Sequence, residues 1–172
     1  MKEKDVDEIN EAPPYSNESE TSVIGGLLQD EAALHRAIEC LQPEDFYSNE
    51  RRNIFIAACD LFEYGVKVDV ITVGEKLKQT GEFDRIGHYR LTEYVDRVPS
   101  VVNYEHHCRI VKEYSLTRQA IGAMRVATNS LFDFRKDHNK IVNELAMRLI
   151  ELQSRRDAAQ WTPLSQAIAK QI

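Results

Sequence analysis

From Asn103 to Leu131, side chains that can pack recur at alternating spacings of four and three, at Ile110, Tyr114, Thr117, Ile121, Met124, Thr128 and Leu131, with no proline to interrupt them. That period is one face of an α-helix, which a strand, with its period of two, cannot keep. A polar turn, Asp133 to Asn139, follows. Ile141, Leu145, Leu149 and Leu152 then mark a second long helix, and Val142, Ala146 and Ile150 widen its apolar face. The two predict an antiparallel αα-hairpin over residues 100–153. Each helix carries more apolar surface than one neighbour can cover, and an uncovered stripe of that size predicts contact with another chain. Val142, Leu145, Leu149 and Ile150 are the candidate dimer-interface residues.

Ahead of the hairpin, residues 15–99 read as a compact head of short helices. Ser16 caps a first helix that has Glu18 and Glu20 in its positive first turn and Val23, Ile24, Leu27 and Leu28 on one side. Gly25 and Gly26 sit in the middle of that helix, where each costs ~1 kcal/mol against alanine, so another backbone is expected to pack closely there. A second helix starts at Asp30 on Leu34, Ala37, Ile38 and Leu41 and stops at Pro43. A third runs from Asn49 to Tyr64 on Ile54, Phe55, Ala58, Leu61 and Phe62 and ends at Gly65. Asp69 caps a fourth, Val70 to Thr80, which Gly81 terminates. The β-branched run from Val66 to Val73 competes as a strand, but the Glu75-Lys76-Leu77-Lys78 continuation favours helix. A fifth is expected over Tyr89 to Arg97, before Pro99. The fold class is therefore all-α.

The flanks read differently. Residues 1–14 hold seven charges, with only Val6 and Ile9 to bury, and end in Pro13-Pro14, the signature of a flexible acidic tail. Residues 154–161 lose the stripe and read as a linker. In 162–172, Thr162-Pro163 starts a helix whose face is Leu164, Ala167, Ile168 and Ile172. The sequence stops inside that helix without a C-cap residue, which predicts a chain cut short.

Charge and chemistry exclude more than they propose. Lys plus Arg number 22 against 28 for Asp plus Glu, a net charge of −6, the wrong sign for a module that grips phosphates, so no direct nucleic-acid binding is expected. Arg51-Arg52 and Arg155-Arg156 are the modest basic clusters, each flanked by acids and without aromatics for base stacking. No run approaches the ~20 apolar residues of a membrane span, and no signal peptide is visible. Cys40, Cys59 and Cys108 are odd in number and widely spaced, which predicts core thiols and a cytoplasmic protein. No glycine precedes lysine as a phosphate loop demands. His106, His107 and Cys108 are consecutive and point ~100° apart on a helix, so they cannot converge on a metal. Glu44 and Asp45 precede a helix, where the dipole accounts for them. No cofactor, metal or catalytic residue is expected, and by its own residues the chain is a helical interaction module.

Four ordered blocks carry a resemblance. They are PPYSNESETSVIGGLLQD from Pro13, DFYSNERRNIF from Asp45, GVKVDVITVGEKLKQTG from Gly65, and VPSVVNYEHHCRIVKEYS from Val98. Their order and spacing resemble the N-terminal domain of the DnaB family of bacterial replicative DNA helicases, over Pro13 to about Ala123. One departure is Gly87-His88-Tyr89-Arg90-Leu91, a residue shorter than the family pattern. The resemblance implies a helical head and hairpin, hairpins pairing into dimers, and dimers forming the collar of a hexamer that docks the C-terminal helicase-binding domain of primase. It leaves a helicase loader open as a further partner. It implies Tyr89 and Ile121 as primase-docking residues and residues 162–172 as the start of the linker helix, with a RecA-like ATPase domain beyond. A free-standing helical adaptor of helicase or primase, without an ATPase domain, is the alternative. A phosphate loop downstream of Ile172 separates the two.

Overall fold

Helix starts are fixed by side chains placed where the sequence puts them. Ser16 accepts the Ser19 N–H at 3.1 Å, Asp30 those of Ala32 and Ala33, and Asp69 those of Ile71 and Thr72. These caps satisfy amides that would otherwise lack partners. A computed structural model describes residues 12–98, 100–133 and 135–158. Its elements are α1 (Asn17–Leu27), α2 (Glu31–Cys40), a 3-10 turn (Pro43–Asp45), α3 (Asn49–Glu63), α4 (Val70–Thr80), α5 (Phe83–Asp96), α6 (Tyr104–Leu131) and α7 (His138–Ala158). Among the described residues there is no strand, and the fold is all-α. The competing strand reading of 66–73 gives way to a loop and the first turn of α4.

The core forms around α1. Val23, Ile24 and Leu27 meet Leu34 and Ala37 of α2, Ile54 and Phe55 of α3, Leu91 of α5, and Tyr104, Cys108 and Val111 of α6 in one cluster. Both glycines of α1 are explained by close approach. A Cβ on Gly25 would stand 2.3 Å from the Tyr94 carbonyl oxygen, and one on Gly26 would stand 2.4 Å from the Tyr104 ring. The first is the expected backbone contact and the second a side chain. Gln29, at the end of α1, adds a polar tie by donating to the carbonyls of Val95 and Val98 at 3.2 and 3.1 Å.

Three boundaries differ from the sequence reading. α5 begins at Phe83, not Tyr89, because Phe83 and the buried Ile86 anchor an extra turn. The element then kinks at Gly87, whose φ of 67° lies in the left-handed region. α7 runs on to Ala158, through residues 154–158 read as linker. Leu152 is buried there, and Arg155 reaches Gln119 Oε1 of α6 at 3.4 Å, so polar bridging carries the helix where the apolar stripe ends. At the other end, Pro14 of the expected tail is tied down, its carbonyl accepting from Arg118 at 3.0 Å. Residues 1–11 of the acidic tail, residues 159–161 of the linker, and the linker-helix face of Leu164, Ile168 and Ile172 lie outside the described residues.

Gly25→Ala tests the close approach. Alanine gains ~1 kcal/mol of helix propensity, but overpacking costs ~1–3 kcal/mol and more when the obstacle is backbone. Urea denaturation is expected to show net destabilisation; an unchanged or raised midpoint contradicts the geometry.

Candidate docking site

Two buried ion pairs set the relation of the elements before any surface is considered. Glu20 of α1, almost wholly buried, accepts from Arg51 Nη1 at 3.0 Å, the Tyr47 N–H at 2.7 Å and the Ser48 N–H at 3.3 Å. It therefore holds the entry to α3 and is not merely a dipole-favoured acid in the first turn of α1. Arg51 also donates to Asn17 and Thr21, while its buried Nε has no partner among the described residues. Asp45, in the 3-10 turn, pairs with Lys112 of α6 at 2.7 Å and accepts the Gln42 N–H at 2.8 Å. Its carboxylate is a buried structural partner as well as a turn cap, which the helix-dipole reading missed. Charges in such positions are seldom seen unless paired and hydrogen-bonded.

Around the second pair a clasp joins the head to α6. Arg118 donates to the carbonyls of Pro14 and Asp45 and lies over the Tyr47 ring, which stacks on Tyr15 with ring centroids 4.4 Å apart. Burial lowers the Arg118 pKa against the opposing pull of Glu20 and Asp45. Arg52 donates to the Pro43 and Phe46 carbonyls. Arg51-Arg52 is thus engaged in holding the fold.

α6 buries a different face from the one its most regular period marks. Tyr104, Cys108, Val111, Ser115 and Leu116 are buried, whereas Tyr114, Thr117, Met124, Thr128 and Leu131 are exposed and Ile110 and Ile121 half-buried. α6 packs on α1 and α2, and Tyr104, Cys108 and Val111 join the head core, so the regular stripe turns outward. α7 packs along α6, burying Ala127 and Leu152. A groove of about 360 Å³ between them is lined by Gly122, Ala123, Ala127, Ile141 and Leu145. Of the four candidate interface residues, Leu145 faces this groove half-buried, and Val142, Leu149 and Ile150 are exposed together with Val126 and Met147.

The two candidate primase contacts lie on different elements. Tyr89 follows the Gly87 kink and is 84% exposed, so it does not cover the head. Ile121 sits three residues past the Arg118 clasp, half-buried, where α6 leaves the head. Among the described residues no group of three or more His, Cys, Asp and Glu could hold a metal ion, and no helix is long and apolar enough to cross a membrane. His107 instead contacts Ser19 Oγ at 3.3 Å, and burial together with His106 lowers its pKa.

Residues 12–113 match the family model of the DnaB-like helicase N terminal domain. Replicative DNA helicase DnaB of Rhodothermus marinus is 36% identical over 141 residues, which are 81% of this chain and 15% of that protein. The same-named helicase of Geobacillus stearothermophilus is 33% identical over 145 residues, 84% of this chain and 32% of its own. The chain spans roughly a third or less of the length of these curated relatives. The crystal structure of the N-terminal domain of DnaB helicase from Mycobacterium tuberculosis superposes with a TM-score of 0.76 at 28% identity, covering 81% of this chain and 99% of that one. A DnaB-like replicative helicase, whose structure was described with its interactions with primase, gives a TM-score of 0.61 at 29% identity over 80% of this chain and 31% of its own.

Removing one partner of the Glu20–Arg51 pair should be costly, since a charge left alone in a core costs ~3–5 kcal/mol. Glu20→Gln and Arg51→Met are each expected to destabilise on that scale in chemical denaturation, and the double variant by less than their sum. Additivity within ~0.5 kcal/mol would show the two residues to be uncoupled.

Proposed function

Because this chain belongs to the DnaB-like helicase N-terminal domain family, we propose that it is the scaffold and docking domain of a replicative DNA helicase, pairing through its hairpin and receiving primase. The observation that carries the reading is the outward face of the hairpin. Val126, Val142, Met147, Leu149 and Ile150 stand exposed along two packed helices, more apolar surface than a lone hairpin needs to leave bare. In this reading two hairpins cover one another, and dimers assemble into the collar of a hexameric helicase active in DNA replication. The ATP-dependent unwinding belongs to the whole helicase and not to these 172 residues, which carry no phosphate loop.

Primase is the partner of the second surface. A structure with a TM-score of 0.61 was described with its primase interactions, which supports the same class of partner here. Tyr89 is proposed as an anchor because a large aromatic 84% exposed has little structural employment, and Ile121 because it lies half-buried where α6 emerges from the head.

Leu145→Asp with Leu149→Asp should give a folded monomer, since charges left unpaired in a packed interface cost several kcal/mol. The unaltered chain is expected to sediment as a dimer or larger. A monomer at ~100 μM, far above the ~1 μM dissociation constant typical of modest standard-size interfaces, contradicts hairpin pairing.

Tyr89→Ala and Ile121→Ala should each weaken binding of the primase C-terminal domain by ~2 kcal/mol, a factor of ~30, with thermal stability retained. Unchanged affinity, or a loss that only tracks stability, places the docking surface elsewhere.

A further inference from the structure

Tyr89 stands out into solvent, yet the residues on either side of it are tied down. Gly87, with its φ of 67°, breaks the helical course of α5, so the direction of Tyr89 is set by whatever holds the residues that follow the kink. His88 is held on α4. Gly74 there is buried, and a Cβ on it would stand 2.6 Å from His88 Cε1 and 3.0 Å from His88 Nδ1, so the imidazole takes the place a side chain would occupy. The same ring meets the Phe83 ring edge to face, with centroids 4.8 Å apart, and the His88 carbonyl accepts from Thr92 Oγ1 at 3.0 Å. Arg90 is held on α3 and on its own helix. Its Nε donates to Glu50 Oε1 at 2.9 Å and its Nη1 to Glu93 Oε2 at 2.6 Å, while the Tyr94 hydroxyl donates to the same Glu50 oxygen at 2.7 Å.

We propose that His88 and Arg90 are positioning residues of the docking site, fixing Tyr89 outward for primase from seats on α4 and α3. The inference rests on the reading of Tyr89 as a primase anchor. A partner that must first arrest a loose side chain loses affinity, by a factor of about three to ten for each one immobilised. Fastened flanks remove that cost before the encounter, which is how a supporting shell serves a binding residue.

Stability does not account for either fastening. Arg90 and Glu50 are both partly exposed, and ion pairs in such positions add little net stability. His88 is itself exposed, its ring resting over Gly74 at the surface and not among the core residues. Gly74 in turn sits inside α4, where glycine costs ~1 kcal/mol against alanine, and the space it leaves is the space the imidazole uses.

The test measures binding of the primase C-terminal domain to the 172-residue chain by titration calorimetry, together with the melting temperature of each variant. Gly74→Ala probes the seat without touching the docking surface, because Gly74 is buried and its new methyl would displace the His88 ring. Gly74→Ala, His88→Ala and Arg90→Met are each expected to weaken binding about threefold to tenfold with the melting temperature held. His88→Phe, which keeps a ring over Gly74 and against Phe83, should retain wild-type affinity. In a Tyr89→Ala background none of the three substitutions should weaken binding further, because they act through Tyr89. If Tyr89→Ala weakens binding while the three leave it unchanged, the positioning role is wrong and the primase reading stands. If Tyr89→Ala itself changes nothing, the primase anchor falls and this inference with it. Losses that recur undiminished in the Tyr89→Ala background, or that follow the melting temperature, also overturn it.

Discussion

Helix α1 is enclosed on most sides, by α2, α3, α5 and α6, and the rest of the head is arranged to make that enclosure possible. Beyond its first turn a helix so surrounded has little wet face on which to park polar groups, so a buried polar side chain needs a partner and each close neighbour needs room. Gly25 supplies room for the end of α5 and Gly26 for the Tyr104 ring. Glu20 is the polar group that could not be placed outside. Its carboxylate meets Arg51 and the amides of Tyr47 and Ser48, so the residue that α1 could least easily bury is the one that fixes where α3 begins.

What the sequence made legible follows from locality. Caps such as Ser16 and Asp69 and the terminators Gly65 and Gly81 act within one helical turn, so their residue types suffice to place them, and both glycines adopt the positive φ expected of them. The two glycines of α1 were legible as a cost without a local return. What packing decides was not legible. Glu20 and Asp45 look like ordinary first-turn acids, and only the approach of α3 and α6 makes them buried ion-pair partners. The turn from Phe83 to Ile86 lay outside the helix expected over Tyr89 to Arg97, and it is the burial of Ile86 that anchors it. Of the surfaces, the apolar face of α7 was readable from its period, whereas the exposure of Tyr89 depends on the Gly87 kink.

The case of α6 shows how a correct period can mark the wrong face. Its most regular row, Ile110 to Leu131, is as good a helical stripe as any in the chain, yet the head buries the neighbouring row through Tyr104, Cys108, Val111 and Ser115. Regularity measures amphipathicity, not which face has the nearer neighbour. The buried row mixes the large Tyr104 and Val111 with Cys108 and Ser115, and its less apolar members make it a weaker hydrophobic stripe than the row that stays outside. The same row that fails to predict the intramolecular core is continuous with the exposed part of the hairpin.

α6 is one unbroken helix whose first turns belong to the head core and whose later turns carry α7. The head and the hairpin therefore cannot change their relative orientation by swinging a loop. They would have to bend α6 or break the clasp in which Lys112 meets Asp45 and Arg118 holds the carbonyls of Pro14 and Asp45. Buried ion pairs add little net stability, because desolvation cancels most of their attraction, but a misplaced one is severely penalised, so they select one geometry over its neighbours. A surface spanning both parts is then preformed. A partner meeting it has little ordering entropy to overcome, and binding at one part can act on the other only by favouring a state in which the clasp is open.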